Sequence, residues 1–276
     1  MGMRSLWVSF LTFLLLGGLA CAAPPQASDE QVWQQFLAWL TTARPSDNPA
    51  SLLAEYRKNL TAHATPPDEA DHHLRAITTM MRTRQDGWQV IFNNIYASAS
   101  SGFSTRPNGL LMSAVNGRKH GRALDAGMGQ GRNSVFLALK GWDITGFDVS
   151  DTGIAIARKD AERAGVQLTA IQTSEKDFNY GVSQWDLIVF TYVPFPLTDS
   201  AYVRRLSNAL RPGGLVIIES FASEAGSLAR RPVDIDPAQL RIAFQEFRIV
   251  RFDDVKDTPE WTADKVRLVR MIAEKQ

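Results

Sequence analysis

The chain has 276 residues, 45% of them hydrophobic, and its 30 basic and 29 acidic side chains leave a net charge of +1. That length suits one core of ordinary α/β size with a helical extension beside it. With no surplus of positive charge, and with Arg204-Arg205 and Arg230-Arg231 as isolated pairs rather than a stripe, nucleic acid is excluded as the expected substrate.

Residues 1–23 read as a targeting leader. Met1-Gly-Met-Arg4 is positively charged, the apolar run from Leu6 to Leu19 is short for a transmembrane helix, and Ala20-Cys-Ala22 meets the small-residue cleavage rule. The expectation is a secretory signal and an exported or membrane-associated protein, with any membrane attachment confined to this segment. Gly18-Leu-Ala-Cys21 makes only an imperfect lipoprotein box, so removal by ordinary signal peptidase is expected before lipidation. Cleavage after Ala22 or Ala23 takes away the sole cysteine, Cys21, and with it any disulfide. An uncleaved anchor and a start codon placed too early are the alternatives, and the latter makes the protein cytoplasmic.

Residues 24–87 read as a helical extension. Ser28-Asp-Glu-Gln31 has capping-box spacing, and Val32, Phe36, Leu37 and Leu40 fall on one face, which predicts a helix to about Thr42. Asn48-Pro49 starts a second helix through Leu60, and Pro66-Pro67 followed by Asp68 and Glu69 starts a third through about Met81.

Residues 88–276 read as an α/β domain. Arg122-Ala-Leu-Asp-Ala126 is a strand running into Gly127, Gly129 and Gly131, which can take positive φ and let the backbone approach a ligand, before a helix to Leu139. Asp148 closes the next strand about 20 residues on, where a carboxylate meets ribose hydroxyls in nucleotide-binding α/β folds. A tight turn that binds nothing needs no such second carboxylate. Ser150-Asp151 caps a helix to Gly165, Gln167 to Gln172 is strand-like, and Trp185 to Tyr192 is an apolar run suited to a central parallel strand. Asp199 to Leu210 is a helix, Arg211-Pro-Gly-Gly214 its terminating turn, and Leu215 to Phe221 a strand. Phe247 to Asp253 and Lys265 to Met271 alternate with period two and predict an antiparallel hairpin.

The dinucleotide pattern G-x-G-x-x-G places its last position on Arg132, which does not fit. What stands here is D-x-G-x-G-x-G, and the string Leu124-Asp-Ala-Gly-Met-Gly-Gln-Gly-Arg-Asn133 resembles motif I of the class I S-adenosylmethionine-dependent methyltransferases, in particular the tellurite-resistance-type small-molecule subgroup. The resemblance covers roughly residues 88–276. It implies a Rossmann-like doubly wound sheet with an antiparallel last strand, and S-adenosylmethionine as methyl donor to a small-molecule acceptor. It further implies that the Gly127–Gly131 loop lies along the cofactor's methionine part, that Asp125 orients its amino group and that Asp148 holds the ribose, with Asn133 a further cofactor contact. On the adenine side the family places a carboxylate, where this chain has Ser174 with Glu175 beside it. Either Ser174 makes a weaker contact, or Glu175 or Asp177 moves into the role, or all three are solvated loop residues. Phe103 and Asn108 fall in the segment that covers the cofactor in related enzymes.

Methyl transfer asks mainly for in-line positioning and exclusion of water. Tyr192, after the fourth strand, is a candidate wall or proton-handling group of the acceptor pocket, with aromatic packing as the alternative. Glu219, ending the fifth strand, is a second candidate, or else a hydrogen-bonded strand end. The four histidines form no cluster, and His72 and His73 diverge on a helix, so no metal is expected and all four are read as surface residues. An exported, non-catalytic protein binding an adenosine-like ligand in the same cleft is the competing reading, because S-adenosylmethionine is made in the cytosol.

Overall fold

Strands β1 (Arg122–Ala126), β2 (Asp143–Asp148), β3 (Thr169–Gln172), β4 (Trp185–Thr191) and β5 (Leu210–Phe221) pair in parallel, whereas β6 (Arg248–Asp257) and β7 (Val266–Glu274) join antiparallel. The resulting seven-stranded sheet has the order β3-β2-β1-β4-β5-β7-β6. The computed structural model describes residues 26–84, 86–99, 102–223, 233–260 and 264–276. The leader and the Arg230-Arg231 pair therefore lie outside the described residues.

Alternation along the strands feeds two cores. Leu187 and Val189 of β4 face one layer with Leu110, Leu111 and Leu137, while Ile188 and Phe190 face the other with Leu206, Leu240 and Phe244. A strand covered on both faces must be apolar on both, as β4 is. The outer strand β6 instead carries Arg248, Arg251, Asp253, Asp254 and Lys256, charges that discourage pairing with another chain. The predicted hairpin is present, with Asp253 opposite Arg270. Arg211-Pro-Gly-Gly214 is not the predicted free turn but an irregularity within β5. The pairing slips between Trp185 and Leu187, and Gly213 N and Lys275 N donate to Lys275 O and Gly214 O, both at 2.9 Å, so the end of the chain pins it.

Before the sheet come α1 (Asp29–Leu40), α2 (Pro49–Ala62), α3 (Pro67–Thr83) and α4 (Trp88–Tyr96). Ser28 and Gln31 form the predicted capping box, and Asn48 Oδ1 accepts from Ala50 N and Ser51 N at 3.0 Å each. Val32, Phe36, Leu52, Ile77, Ile91 and Ile95 join these four helices in one core. Helix α4 is then bolted to the start of α7 (Asp151–Arg163), since Asn93 Oδ1 accepts from Ser150 Oγ at 2.6 Å and Asn93 Nδ2 donates to Asp151 Oδ1 at 2.5 Å. The helical region is thereby held over the carboxyl ends of the strands. Among the described residues, no helix is long and apolar enough to cross a membrane.

Candidate active site

The glycine loop begins where β1 ends. Gly127, Gly129 and Gly131 all take positive φ, at 73°, 53° and 80°. Packing demands glycine as much as conformation does. A Cβ at Gly127 would lie 2.5 Å from Val193, one at Gly131 would lie 2.6 Å from Ala157 of α7, and one at Gly129 would collide with the Tyr96 hydroxyl. Gly127 N and Met128 N both donate to Phe147 O at 2.9 Å, fastening the loop to β2. Helix α6 (Arg132–Leu139) follows at once.

Asp148 ends β2 and its carboxylate faces the loop. Oδ2 accepts from Gly129 N at 2.9 Å and Oδ1 from Ser150 N at 2.8 Å. Burial pushes its carboxyl above the usual range, against the pull of those backbone donors. Each oxygen retains a lone pair for a ligand hydroxyl. Gly127, Gly129 and Asp148 border a cavity of about 470 Å³ at the carboxyl ends of the strands, within the usual range for a small-molecule site.

Asp125 does not border that cavity. It is 1% exposed and its Oδ2 accepts from Ser134 Oγ at 2.7 Å, beneath the loop. Burial pushes its carboxyl up to about 6. A raised folded-state value means that the folded chain holds more protons than the unfolded one between about pH 4 and 6, so stability falls as pH rises through that window and stays low above it. Asp125→Asn removes the titration. Its stability relative to the parent is expected to grow by on the order of 3 kcal/mol between pH 4 and 7. Urea unfolding at several pH values checks this, and a pH-independent difference would contradict it.

The remaining candidates divide. Asn133 borders the cavity but serves as a fastener, accepting from Asn108 N at 2.9 Å and donating to Thr191 Oγ1 at 3.1 Å. After β3, Glu175 and Thr173 line the cavity, and Ser174 does not. Ser174 is held in a turn by Asp177, with Oγ donating to Asp177 Oδ2 at 2.5 Å, so of the alternatives left open it is Glu175 that borders the cavity. Glu175 is buried and ion-paired with Arg205. Phe103 borders the cavity, whereas Asn108 is fully buried as the N-cap of α5 (Gly109–Val115). His73 is not the expected surface residue. It is 3% exposed and bonded to Tyr56 Oη at 3.2 Å, because α3 turns it toward α2.

Tyr192 and Glu219 are brought together. Tyr192, at φ 57°, lines the cavity and donates from Oη to Glu219 Oε1 at 2.5 Å. Glu219 is 1% exposed, and its other oxygen accepts from Arg270 Nε at 2.7 Å, while Arg270 also pairs with Asp257 at 2.5 Å. Burial and the adjoining Glu219 charge push the Tyr192 phenol far above its usual range, so it stays protonated and does not act as a phenolate. Arg270, Asp257 and the Glu260 latch, which accepts from Asn108 Nδ2 at 2.8 Å and Gly109 N at 2.9 Å, escaped the sequence reading. No local pattern announces partners so far apart. Among the described residues, no cluster of three metal-capable side chains occurs.

A family model described as a methyltransferase domain matches residues 123–214, which span the glycine loop, Asp148 and Tyr192. Among curated relatives, the ubiquinone biosynthesis O-methyltransferase of Cereibacter sphaeroides is 30% identical over 39% of this chain and 44% of its own. A probable S-adenosyl-L-methionine-dependent methyltransferase, TehB of Haemophilus influenzae, is 38% identical over 26% of this chain and 25% of its own. The chain thus spans less than half the length of either. Among solved structures, TehB from Haemophilus influenzae superposes with a TM-score of 0.51 at 19% identity, covering 68% of this chain and 67% of that one. A protein studied for the conversion of a disulfide bond into a thioacetal group during echinomycin biosynthesis gives 0.55 at 20% identity, over 68% and 92%. Residues 123–214 thus match a methyltransferase domain, on a fold shared with the TehB structure. The residues present fit S-adenosylmethionine, the methyl donor of such domains: the glycine loop borders the cavity with bare backbone at Gly127 and Gly129, Asp148 offers both oxygens, and Thr173 and Glu175 stand on the same wall.

Proposed function

We propose that the protein transfers a methyl group from S-adenosylmethionine to a small-molecule acceptor. The observation that carries the reading is the single cavity wall shared by the glycine loop, Asp148 and Tyr192. Bound S-adenosylmethionine supplies a methyl group already activated by its sulfonium. The chain's residues then have three tasks. The Gly127–Gly131 loop and Asp148 hold the cofactor by its methionine and ribose parts, and Thr173 and Glu175 border its base. The helices α1 to α4 cover the strand ends and exclude water. Tyr192 takes up the proton of a protic acceptor while passing its own to Glu219, with which it is already hydrogen-bonded.

Incubating the protein with methyl-labelled S-adenosylmethionine and a metabolite extract tests this. Label in a small molecule, with S-adenosylhomocysteine formed in step, is the expected result. Binding without turnover favours the alternative, an exported protein that keeps an adenosine-like ligand in the same cleft. The leader is what supports that alternative. Mass spectrometry of the mature protein reports on it: a start at Ala23 or Pro24 indicates secretion, a diacylated Cys21 a lipoprotein, and an intact Met1 or Met3 a cytosolic enzyme.

Asp148→Ala is expected to weaken S-adenosylmethionine binding by about 1.5–3 kcal/mol, the order for charge-assisted hydrogen bonds to a diol. A loss of only a few tenths of a kcal/mol in a titration would remove Asp148 from the ribose site.

A further inference from the structure

Rings make up much of the cavity wall, with Tyr96 over Gly129 on the side of Asp148 and Phe221 beside Tyr192. Trp88, Phe92 and Tyr96 recur every fourth residue on α4 and stack in sequence, with centroids 5.2 Å and 6.2 Å apart and planes tilted by 23° and 30°. Phe103 follows 5.3 Å from Tyr96. Phe221, at the end of β5, stands edge-on to Tyr192 at 5.2 Å, and both border the same cavity. Flat apolar ligands gain from offset or edge-on contact with such rings beyond the area they bury.

Charge and hydrogen-bond direction add a second constraint. The carboxylates of Asp148 and Glu175 border the cavity. Its one basic side chain among the described residues, Arg132, is engaged by Arg106 O at 2.8 Å and Glu260 at 3.4 Å. An anionic acceptor would lose its hydration there with Arg132 already engaged elsewhere. The Tyr192 hydrogen is committed to Glu219, whose second oxygen Arg270 holds, so toward an acceptor this hydroxyl accepts rather than donates.

We infer that the methyl acceptor is an uncharged molecule with a flat apolar body and an aromatic hydroxyl, laid against Phe221 with its O–H toward Tyr192. This rests on the methyl-transfer reading above. Anionic metabolites and inorganic oxyanions are the acceptors it excludes.

The test uses the full chain saturated with S-adenosylhomocysteine and a matched series of 2-naphthol, 2-methoxynaphthalene and 2-naphthoate, titrated calorimetrically alongside tellurite. The naphthol is expected to bind about tenfold or more tighter than the naphthoate, and to become labelled when methyl-labelled S-adenosylmethionine replaces the homocysteine. Phe221→Arg places a cation beside Tyr192 and is expected to shift the preference toward the naphthoate by a similar factor. Naphthoate or tellurite binding as well as the naphthol, or none of the series binding, would overturn the inference and leave methyl transfer standing. Failure of S-adenosylhomocysteine itself to bind would strike the cofactor reading instead. Should Phe221→Arg not fold, the comparison on the parent protein decides alone.

Discussion

Replacing Gly129 with valine is expected to abolish S-adenosylmethionine binding. Gly129 sits at φ 53°, a left-handed conformation costing an ordinary residue roughly 1–2 kcal/mol, and a β-branched side chain more. Any Cβ there also meets the Tyr96 hydroxyl, which covers the loop from α4. The substitution therefore pushes α4 away and fills the loop surface at once. Its backbone N–H, which anchors Asp148 Oδ2, shifts as well, so the Asp148 carboxylate loses its orientation. A circular dichroism spectrum with retained helix and strand, together with the loss of any titration heat, is the expected outcome. Unchanged affinity in a folded Gly129→Val protein would remove the loop from the site.

The second large effect is on stability. Glu219→Ala leaves the Arg270 guanidinium, 15% exposed, with only the half-exposed Asp257 as partner, and strips the Tyr192 hydroxyl of its acceptor. Breaking a buried pair from one side typically costs 3–5 kcal/mol, and the surviving Asp257 contact places this case near about 3 kcal/mol. Glu219→Gln keeps an acceptor for Tyr192 and is expected to lose less. Urea unfolding of the two variants measures both. A loss under about 0.5 kcal/mol for the alanine variant, the size of an ordinary surface change, would show that the Tyr192–Glu219–Arg270 chain does not hold the strand ends together.

What could be read from the sequence was what short-range physics dictates. The glycines were legible because the turn requires positive φ, and Asp148 because its strand follows at the nucleotide-fold spacing. The β6–β7 hairpin showed in its period-two alternation, and Ser28 and Asn48 declared their helices by their caps. The physical reason given for the glycines was incomplete, since neighbouring side chains on α4 and α7 occupy the space as well. The choice among Ser174, Glu175 and Asp177 stayed open because a loop has no period to fix which side chain turns inward. There the Ser174–Asp177 turn sends Glu175 into the cavity. Glu260 and Arg270 were invisible for another reason. Their partners lie far away along the chain, Asn108 and Glu219, and only the closed sheet brings them together.

The central claim, that this cleft binds S-adenosylmethionine, is tested most directly by isothermal titration of the protein with S-adenosylmethionine, S-adenosylhomocysteine and NADH. One-site binding of the first two in the micromolar range, about −8 kcal/mol, with no heat from NADH, is the predicted result. Binding of NADH, or silence from both adenosyl compounds, would contradict it.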